Sequence, residues 1–214
     1  MKERTEKHIT DFFKNHSETV YLEDTIRRAI TEIVSLKEQN KILLCGNGGS
    51  AADCEHIAGE LLKSFALKRH LTASELDAYI DMYGEEGGVI AHNLQKGIKA
   101  IPLVSFVGAN TAFINDCKPS LLYAQMVNSL GIAGDILIAI STSGNSQNVV
   151  LASKVAKVLG MKVIALTGES GGKLRDIADI LINVPSQEVY KIQEYHLPFY
   201  HLLCLCVESE LFEN

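Results

Sequence analysis

The stretch "GDILIAISTSGNSQNVV" (residues 134–150) joins an apolar run to a loop of Gly, Ser, Thr and Asn that leads into a helical pattern. The stretch "KILLCGNGGSAAD" (residues 41–53) has the same design earlier in the chain. Short apolar runs that alternate with helical segments indicate β-α-β units, which form parallel sheets covered by helices on both faces. We therefore predict an α/β fold of three layers, with a parallel sheet in the middle.

The remaining segments fit one domain over residues 1–214. Apolar runs at 100–106, 161–168 and 178–185 supply three more strands between residues 41 and 186. Residues 2–39 indicate two helices broken near "NHSETV", and an apolar helix over 187–212 closes the chain. The second N-terminal helix carries a stripe of Ile26, Ile30, Ile33 and Lys37, which packs either on the chain's own core or on another copy.

Residues 66–99 fit this alternation least well. "TASELDAYIDMY" (72–83) predicts a helix with Ser74 as its N-cap, and "GEEGG" (84–88) predicts its end. The segment is a lid, an oligomer contact or decoration, and the sequence does not decide between them.

Composition excludes some classes of function. The net charge is −6 and the 20 basic residues form no dense run, so a nucleic-acid surface is not expected. The N-terminus lacks an apolar signal core, and no uncharged apolar run reaches 18 residues, so we expect a soluble cytoplasmic protein without membrane contacts. The five cysteines form no C-x-x-C pair, and we predict reduced, mostly buried thiols.

The two polar loops predict an anion site. Glycines let the backbone approach a ligand, and the free amides of a first helical turn point at an anion. Ligands of open α/β sheets bind at the carboxyl ends of strands, where both loops fall. Neither loop matches a dinucleotide or ATP pattern, so a phosphorylated small molecule is favoured over a plain tight turn. "TGESGGKL" (167–174) lacks repeated hydroxyls and is interpreted as structural.

Candidate acid–base or metal-binding residues lie on two helices. His56 and Glu60 are four residues apart and therefore share one helical face, as a surface pair, a metal site or an acid–base pair. The last helix carries Gln193, His196 and His201. A histidine on an apolar helix is more often a core residue than a ligand, so the helix alone does not decide their roles.

Taken together, "GNGGSAAD" followed by H-x-x-x-E, "STSGNS", and "IQE" followed by His in the final helix resemble the phosphoheptose isomerases. These are sugar-isomerase (SIS) domain proteins with a flavodoxin-like sheet, which interconvert sedoheptulose 7-phosphate and D-glycero-D-manno-heptose 7-phosphate. The resemblance covers residues 1–65 and about 101–214. It implies a homotetramer with sites between subunits, N-terminal helices that take part in oligomer packing, and a role in heptose or lipopolysaccharide biosynthesis.

The resemblance also implies site residues. The family's zinc ligands match His56, Glu60, Gln193 and His201, with Glu60 and His201 as catalytic base and acid. Its substrate-binding positions match Asn47, Gly48, Gly49, Ser50, Asn115, Asp116, Ser141, Thr142, Ser143, Ser146 and Gln193. In an ideal helix Gln193 and His201 are about 12 Å apart, so sharing one metal requires long reach, a distortion near Pro198 or a neighbouring subunit.

Three functional hypotheses stay open at this point. The first is an enzyme that moves the carbonyl of sedoheptulose 7-phosphate through an enediolate, with zinc as Lewis acid. The second is a non-catalytic SIS module that senses a phosphosugar or associates with a replication initiator. The third is an isomerase of another phosphosugar, since residues 66–99 and "SFVGANTAF" (105–113) depart from the family pattern.

Overall fold

A computed structural model of the chain describes residues 1–213, in which five strands form one parallel sheet. The strands are β1 (Ile42–Cys45), β2 (Ala100–Pro102), β3 (Ile136–Ile140), β4 (Lys162–Thr167) and β5 (Ile180–Asn183). Their order across the sheet is β2-β1-β3-β4-β5, and Leu43 of β1 is in register with Ile101 and Leu137. The predicted three-layer α/β fold is confirmed.

Helices cover both faces of the sheet. They are α1 (Glu3–Asn15), α2 (Glu23–Val34), α3 (Gly49–Leu62), α4 (Ala73–Asn93), α5 (Val107–Asp116), α6 (Leu122–Leu130), α7 (Gln147–Val158) and α8 (Val189–Phe212). Side chains of β1 alternate between two cores: Ile42 and Leu44 pack with α1, α2, α3 and α8, whereas Leu43 and Cys45 pack with α6 and α7. Burial on both faces explains the continuous apolar run. Within residues 1–213, no helix is long and apolar enough to cross a membrane.

The apolar stripe of the second N-terminal helix is buried within the chain. Ile26 and Ile30 are fully buried and Ile33 is nearly so, in the core that α8 shares. A 3-10 helix over Ser17–Leu22 separates α1 from α2. The prediction that Lys37 belongs to the stripe is wrong, because α2 ends at Val34. Oligomer packing through these helices therefore has to use their outer faces.

The helix after residue 70 begins and bends differently from the prediction. Its N-cap is Thr72 rather than Ser74, because the Thr72 side chain accepts a bond from the Glu75 amide while the Glu75 carboxylate accepts from the Thr72 amide. Gly84 leaves the helical region with φ +60°, as the predicted break requires, but helix resumes beyond it. The chain turns back so sharply at Gly84 that Gly87 lies against the carbonyl of Tyr79, where a Cβ would collide.

A buried ion pair anchors the start of this segment. Arg69 Nε donates to Glu208 Oε1 of α8 at 2.7 Å, and the two other guanidinium nitrogens donate to the carbonyls of Glu60 and Leu61 at the end of α3. The Lys96 amide donates to the Arg69 carbonyl at 2.7 Å. Residues 70–95 therefore leave and rejoin the fold at one place, close to the backbone of Glu60.

The second strand is shorter than predicted. The apolar run 100–106 forms a strand only over Ala100–Pro102, followed by a 3-10 helix over Leu103–Ser105. Pro102 has no amide to continue the ladder, which is consistent with the early end of the strand.

Candidate active site

The two glycine-rich loops face each other where the strand order of the sheet changes direction. One follows β1 and leads into α3, and the other follows β3 and leads into α7. Since β1 and β3 are neighbours and β2 lies on the far side of β1, the crossovers run in opposite directions from this point. Such a switch point opens a crevice at the carboxyl ends of the strands, where α/β proteins bind ligands.

A pair of asparagines bridges this crevice. Asn47 Nδ2 donates to Asn148 Oδ1 at 2.9 Å, and Asn148 Nδ2 donates to Asn47 Oδ1 at 2.8 Å. Asn47 was predicted as a substrate-binding residue, but Asn148 was not. Its only signal in the sequence is its position in the first turn of α7, two residues after the serine loop.

The serine loop is held by its own hydroxyls and by a neighbouring loop. Ser141 Oγ donates to Ser146 Oγ at 3.0 Å. Gly144 has φ +66°, and a Cβ there would collide with the Gly171 carbonyl, so the loop packs backbone to backbone against "TGESGGKL". That contact supports the structural interpretation of the latter loop. Ser146 does not cap α7 with its side chain, so the amides of Gln147 and Asn148 are available to an anion, whereas the Val149 amide donates to Asn148 Oδ1 at 3.0 Å.

Gln193 lies over the first loop. A Cβ on Gly49 would come within 2.6 Å of Gln193 Nε2, so the glycine makes room for this amide. Gly49 begins α3, and Ser50 beside it is buried. Within one chain, Gln193 therefore contacts the first loop, about 12 Å along α8 from His201.

His56, Glu60 and His201 meet between α3 and α8. His56 Nε2 is 3.3 Å from Glu60 Oε1 and 3.4 Å from His201 Nε2. The Glu60 side chain is 15% exposed, and its Oε2 is buried with no hydrogen-bond partner in residues 1–213. Lys63 Nζ lies 3.7 Å from that oxygen. Burial and the neighbouring His56 lower the pKa of His201, while Glu60 opposes this effect. The structure thus brings together the predicted base, acid and first metal ligand.

The donor chemistry of this cluster fits a zinc ion. Nitrogens bound at about 2.0–2.1 Å to tetrahedral zinc lie about 3.3–3.4 Å apart, which matches the separation of His56 and His201. No set of three His, Cys, Asp or Glu side chains within residues 1–213 is already arranged around a common point. A zinc site at this cluster would therefore need these side chains to move or a further ligand to join them.

A tyrosine and an aspartate that the sequence analysis did not single out extend the cluster. The Tyr200 hydroxyl lies 3.0 Å from His56 Nδ1 and 3.3 Å from Asp53 Oδ1. Burial raises the pKa of Asp53, and its bond to Tyr200 opposes the rise. Asp53 lies three residues before His56 on α3, and this helical spacing could have identified Asp53 from the sequence. Tyr200 could not be identified without the packing of α8 on α3.

Two other predicted groups lie elsewhere. Asn115 Nδ2 donates to Asp116 Oδ1 at 2.7 Å at the exposed end of α5, and within residues 1–213 no hydrogen bond joins this pair to the cluster. His196 is fully buried, with Nε2 3.3 Å from the Thr167 carbonyl, and is a core residue. The five cysteines are free thiols, and four of them are buried as predicted.

Comparisons with known proteins identify similar sequences and structures. The SIS domain family model matches residues 74–168. A phosphoheptose isomerase from Helicobacter pylori (strain HPAG1) is 40% identical over 176 residues, which are 82% of this chain and 78% of that protein.

Solved structures of two similar proteins cover almost the whole chain. A phosphoheptose isomerase from Neisseria gonorrhoeae shares 35% identity with a TM-score of 0.70, covering 97% of this chain and 98% of that one. A phosphoheptose isomerase from Francisella tularensis shares 32% identity with a TM-score of 0.73, covering 94% and 96%. The chain belongs to the phosphoheptose isomerase family of SIS-domain proteins.

Proposed function

We propose that the protein is an aldose–ketose isomerase that converts sedoheptulose 7-phosphate into D-glycero-D-manno-heptose 7-phosphate. The observation that carries the proposal is the meeting of Glu60 and His201, from separate helices, around His56. His56 and Glu60 of this cluster lie on α3, the helix that begins at the first polar loop of the crevice. Family membership supports the same substrate class.

The phosphate end of the substrate belongs at the serine loop. Ser141, Thr142, Ser143 and Ser146 precede α7, whose first-turn amides attract an anion. Asn47, Gly48, Gly49, Ser50 and Gln193 would hold hydroxyl groups of the sugar. Binding energy from these remote groups fixes the orientation of the carbons that react.

The isomerisation moves one proton between carbons. Glu60 takes the proton from C1 of the ketose and returns it to C2, through an enediolate. His201 serves the oxygens: the C2 oxygen gains a proton and the C1 oxygen loses one as the carbonyl moves. The limited exposure of the Glu60 side chain partly desolvates its carboxylate, which favours its action as a base.

Zinc is the proposed cofactor, held by His56, Glu60 and His201. Gln193 remains the fourth predicted ligand. Gln193 and His201 of one helix are about 12 Å apart, so a Gln193 from a neighbouring subunit would be able to complete the site. When bound, zinc would act as a Lewis acid that stabilises negative charge on the sugar oxygens.

We also propose a homotetramer working in the cytoplasm. Asn115 and Asp116 were predicted to bind substrate but lie at an exposed helix end. If the site is shared between subunits, this pair would contact the substrate of a neighbouring subunit. The five free thiols fit a reducing compartment.

The test is the Glu60→Gln variant, assayed with sedoheptulose 7-phosphate by NMR. We expect turnover to fall by about three orders of magnitude because the base is lost, while the phosphosugar still binds within a few-fold. Glu55→Gln on the same helix is the matched control, since within residues 1–213 the Glu55 carboxylate accepts a bond from Ser105 and none from the cluster. Zinc content is measured for each protein. Undiminished turnover in Glu60→Gln would refute the proposed role.

A further inference from the structure

The Tyr200 hydroxyl stands between two groups of α3. It lies 3.0 Å from His56 Nδ1 and 3.3 Å from Asp53 Oδ1. Tyr200 is 2% exposed, and its ring meets the His56 ring edge to face, with centroids 5.4 Å apart and planes at 74°. Packing on both sides therefore fixes the phenol in place.

The donor inventory sets the direction of these two bonds. A phenol carries one proton, and a carboxylate only accepts. A tyrosine phenol has an ordinary pKa of about 10 and therefore carries its proton at neutral pH. If it donated to His56, its oxygen lone pairs would face the Asp53 carboxylate. The consistent arrangement is that Tyr200 donates to Asp53 and accepts from His56 Nδ1–H.

This arrangement decides which nitrogen of His56 is free. A neutral imidazole with its proton on Nδ1 has a lone pair on Nε2. That Nε2 is the atom 3.3 Å from Glu60 Oε1 and 3.4 Å from His201 Nε2. The lone pair then faces the Glu60 carboxylate and His201 Nε2, and a cation held between these atoms would remove the repulsion among their lone pairs.

We propose that Tyr200 and Asp53 are positioning residues that hold His56 in the Nδ1–H tautomer, with Nε2 ready to bind a divalent cation. The cation-binding part rests on the proposed function, whereas the tautomer is a property of the protein alone. Hydrogen bonds to the second nitrogen of a ligating histidine typically change metal affinity by about 10–100-fold.

The first measurement is ¹⁵N NMR of metal-free protein with labelled histidines at pH 8. The His56 signals are assigned by their loss in His56→Gln. We expect a protonated Nδ1 and an unprotonated Nε2 in the unmodified protein. Tyr200→Phe keeps the ring but removes the hydroxyl, and should shift the proton towards Nε2. Tyr195→Phe, the same change on the same helix, should leave the spectrum of His56 unchanged.

The second measurement is zinc affinity by competition with a chelator. Tyr200→Phe and Asp53→Ala should each weaken binding by about 10–100-fold, Asp53→Asn should restore part of the loss, and Tyr195→Phe should have no effect. An Nε2–H tautomer in the unmodified protein, or a tautomer that Tyr200→Phe leaves unchanged, would overturn the proposal. If the tautomer is confirmed but the unmodified protein does not bind zinc, the metal-dependent part of the proposed function fails, and the positioning of His56 stands.

Discussion

His196 and His201 are one and a half turns apart on α8 but have different environments. His201 is partly exposed beside Glu60, whereas His196 is fully buried, and its Nδ1 has no hydrogen-bond partner among residues 1–213. Burial lowers the pKa of His196 from 6.5 to about 4, against a smaller opposing effect of the Thr167 carbonyl. A core histidine of this kind contributes to the pH dependence of stability rather than to catalysis.

As the pH is lowered, His196 should therefore become protonated in the unfolded chain at a higher pH than in the folded chain. Between about pH 6.5 and 4 only the unfolded state is protonated there, so stability falls as the pH drops, by at most about 1.4 kcal/mol per pH unit. Above about 6.5 both states are neutral and this contribution is constant. We expect His196→Leu to reduce this slope, measured by urea unfolding at pH 5 and 7. Equal slopes in both proteins would contradict it.

At the residue scale, sequence reasoning identified the groups whose spacing carries information. His56 and Glu60 are one turn apart, and the family pattern added His201, which the structure brings to them. Tyr200 and Asn148 could not be identified in this way. Each acts through a partner more than 100 positions away, and only the packing of α8 on α3, or of one loop on another, creates the contact.

At the scale of elements, the Asn47–Asn148 pair joins the loop before α3 to the loop before α7. The prediction of two loops at one sheet edge followed from strand order, because parallel strands end on the same side. The hydrogen-bonded pair Asn47–Asn148 could not be predicted from strand order, since it depends on the distance between two side chains. The ends of α4 and β2 were also mispredicted, where a capping box and a proline decided the outcome.

We expect Asn148→Ala to weaken substrate binding more than the chemical step. Losing two hydrogen bonds leaves the Asn47 amide free to rotate, and each bond is worth about 1 kcal/mol, so KM should rise about tenfold or more. The catalytic constant should stay within a few-fold, because the Glu60 cluster is untouched. Gln147→Ala is the control on the same helical turn. A large fall in kcat at unchanged KM would refute this role.

At the scale of the whole molecule, residues 70–95 are an excursion from a complete fold. The two ends of this segment are joined, because the Lys96 amide donates to the Arg69 carbonyl. The Arg69 side chain is also bonded to Glu208 of α8. The segment's own apolar side chains, such as Met82 and Val89, are largely exposed. The sequence analysis could not choose between a lid, an oligomer contact and decoration, because nothing in the local pattern shows what an exposed helix contacts.

Replacing residues 71–94 by a short Gly-Ser linker should therefore leave the domain folded. We expect cooperative thermal unfolding and an unchanged far-UV spectrum apart from the lost helix, since both cores lie outside the segment. A variant that also carries Arg69→Met provides the contrast, because it leaves the buried Glu208 carboxylate with backbone amides but no positive charge beside it, and should unfold at lower temperature. Loss of cooperative unfolding in the linker variant alone would contradict this account.

The central claim is that this molecule moves a proton between C1 and C2 of a ketose phosphate. The direct measurement is ¹H NMR of sedoheptulose 7-phosphate incubated with the protein and zinc in deuterated water. We expect an aldoheptose 7-phosphate to form with solvent deuterium at C2 in part or all of the molecules, and formation to stop in Glu60→Gln. No aldose from zinc-loaded protein, or aldose formation that continues undiminished in Glu60→Gln, would contradict the claim.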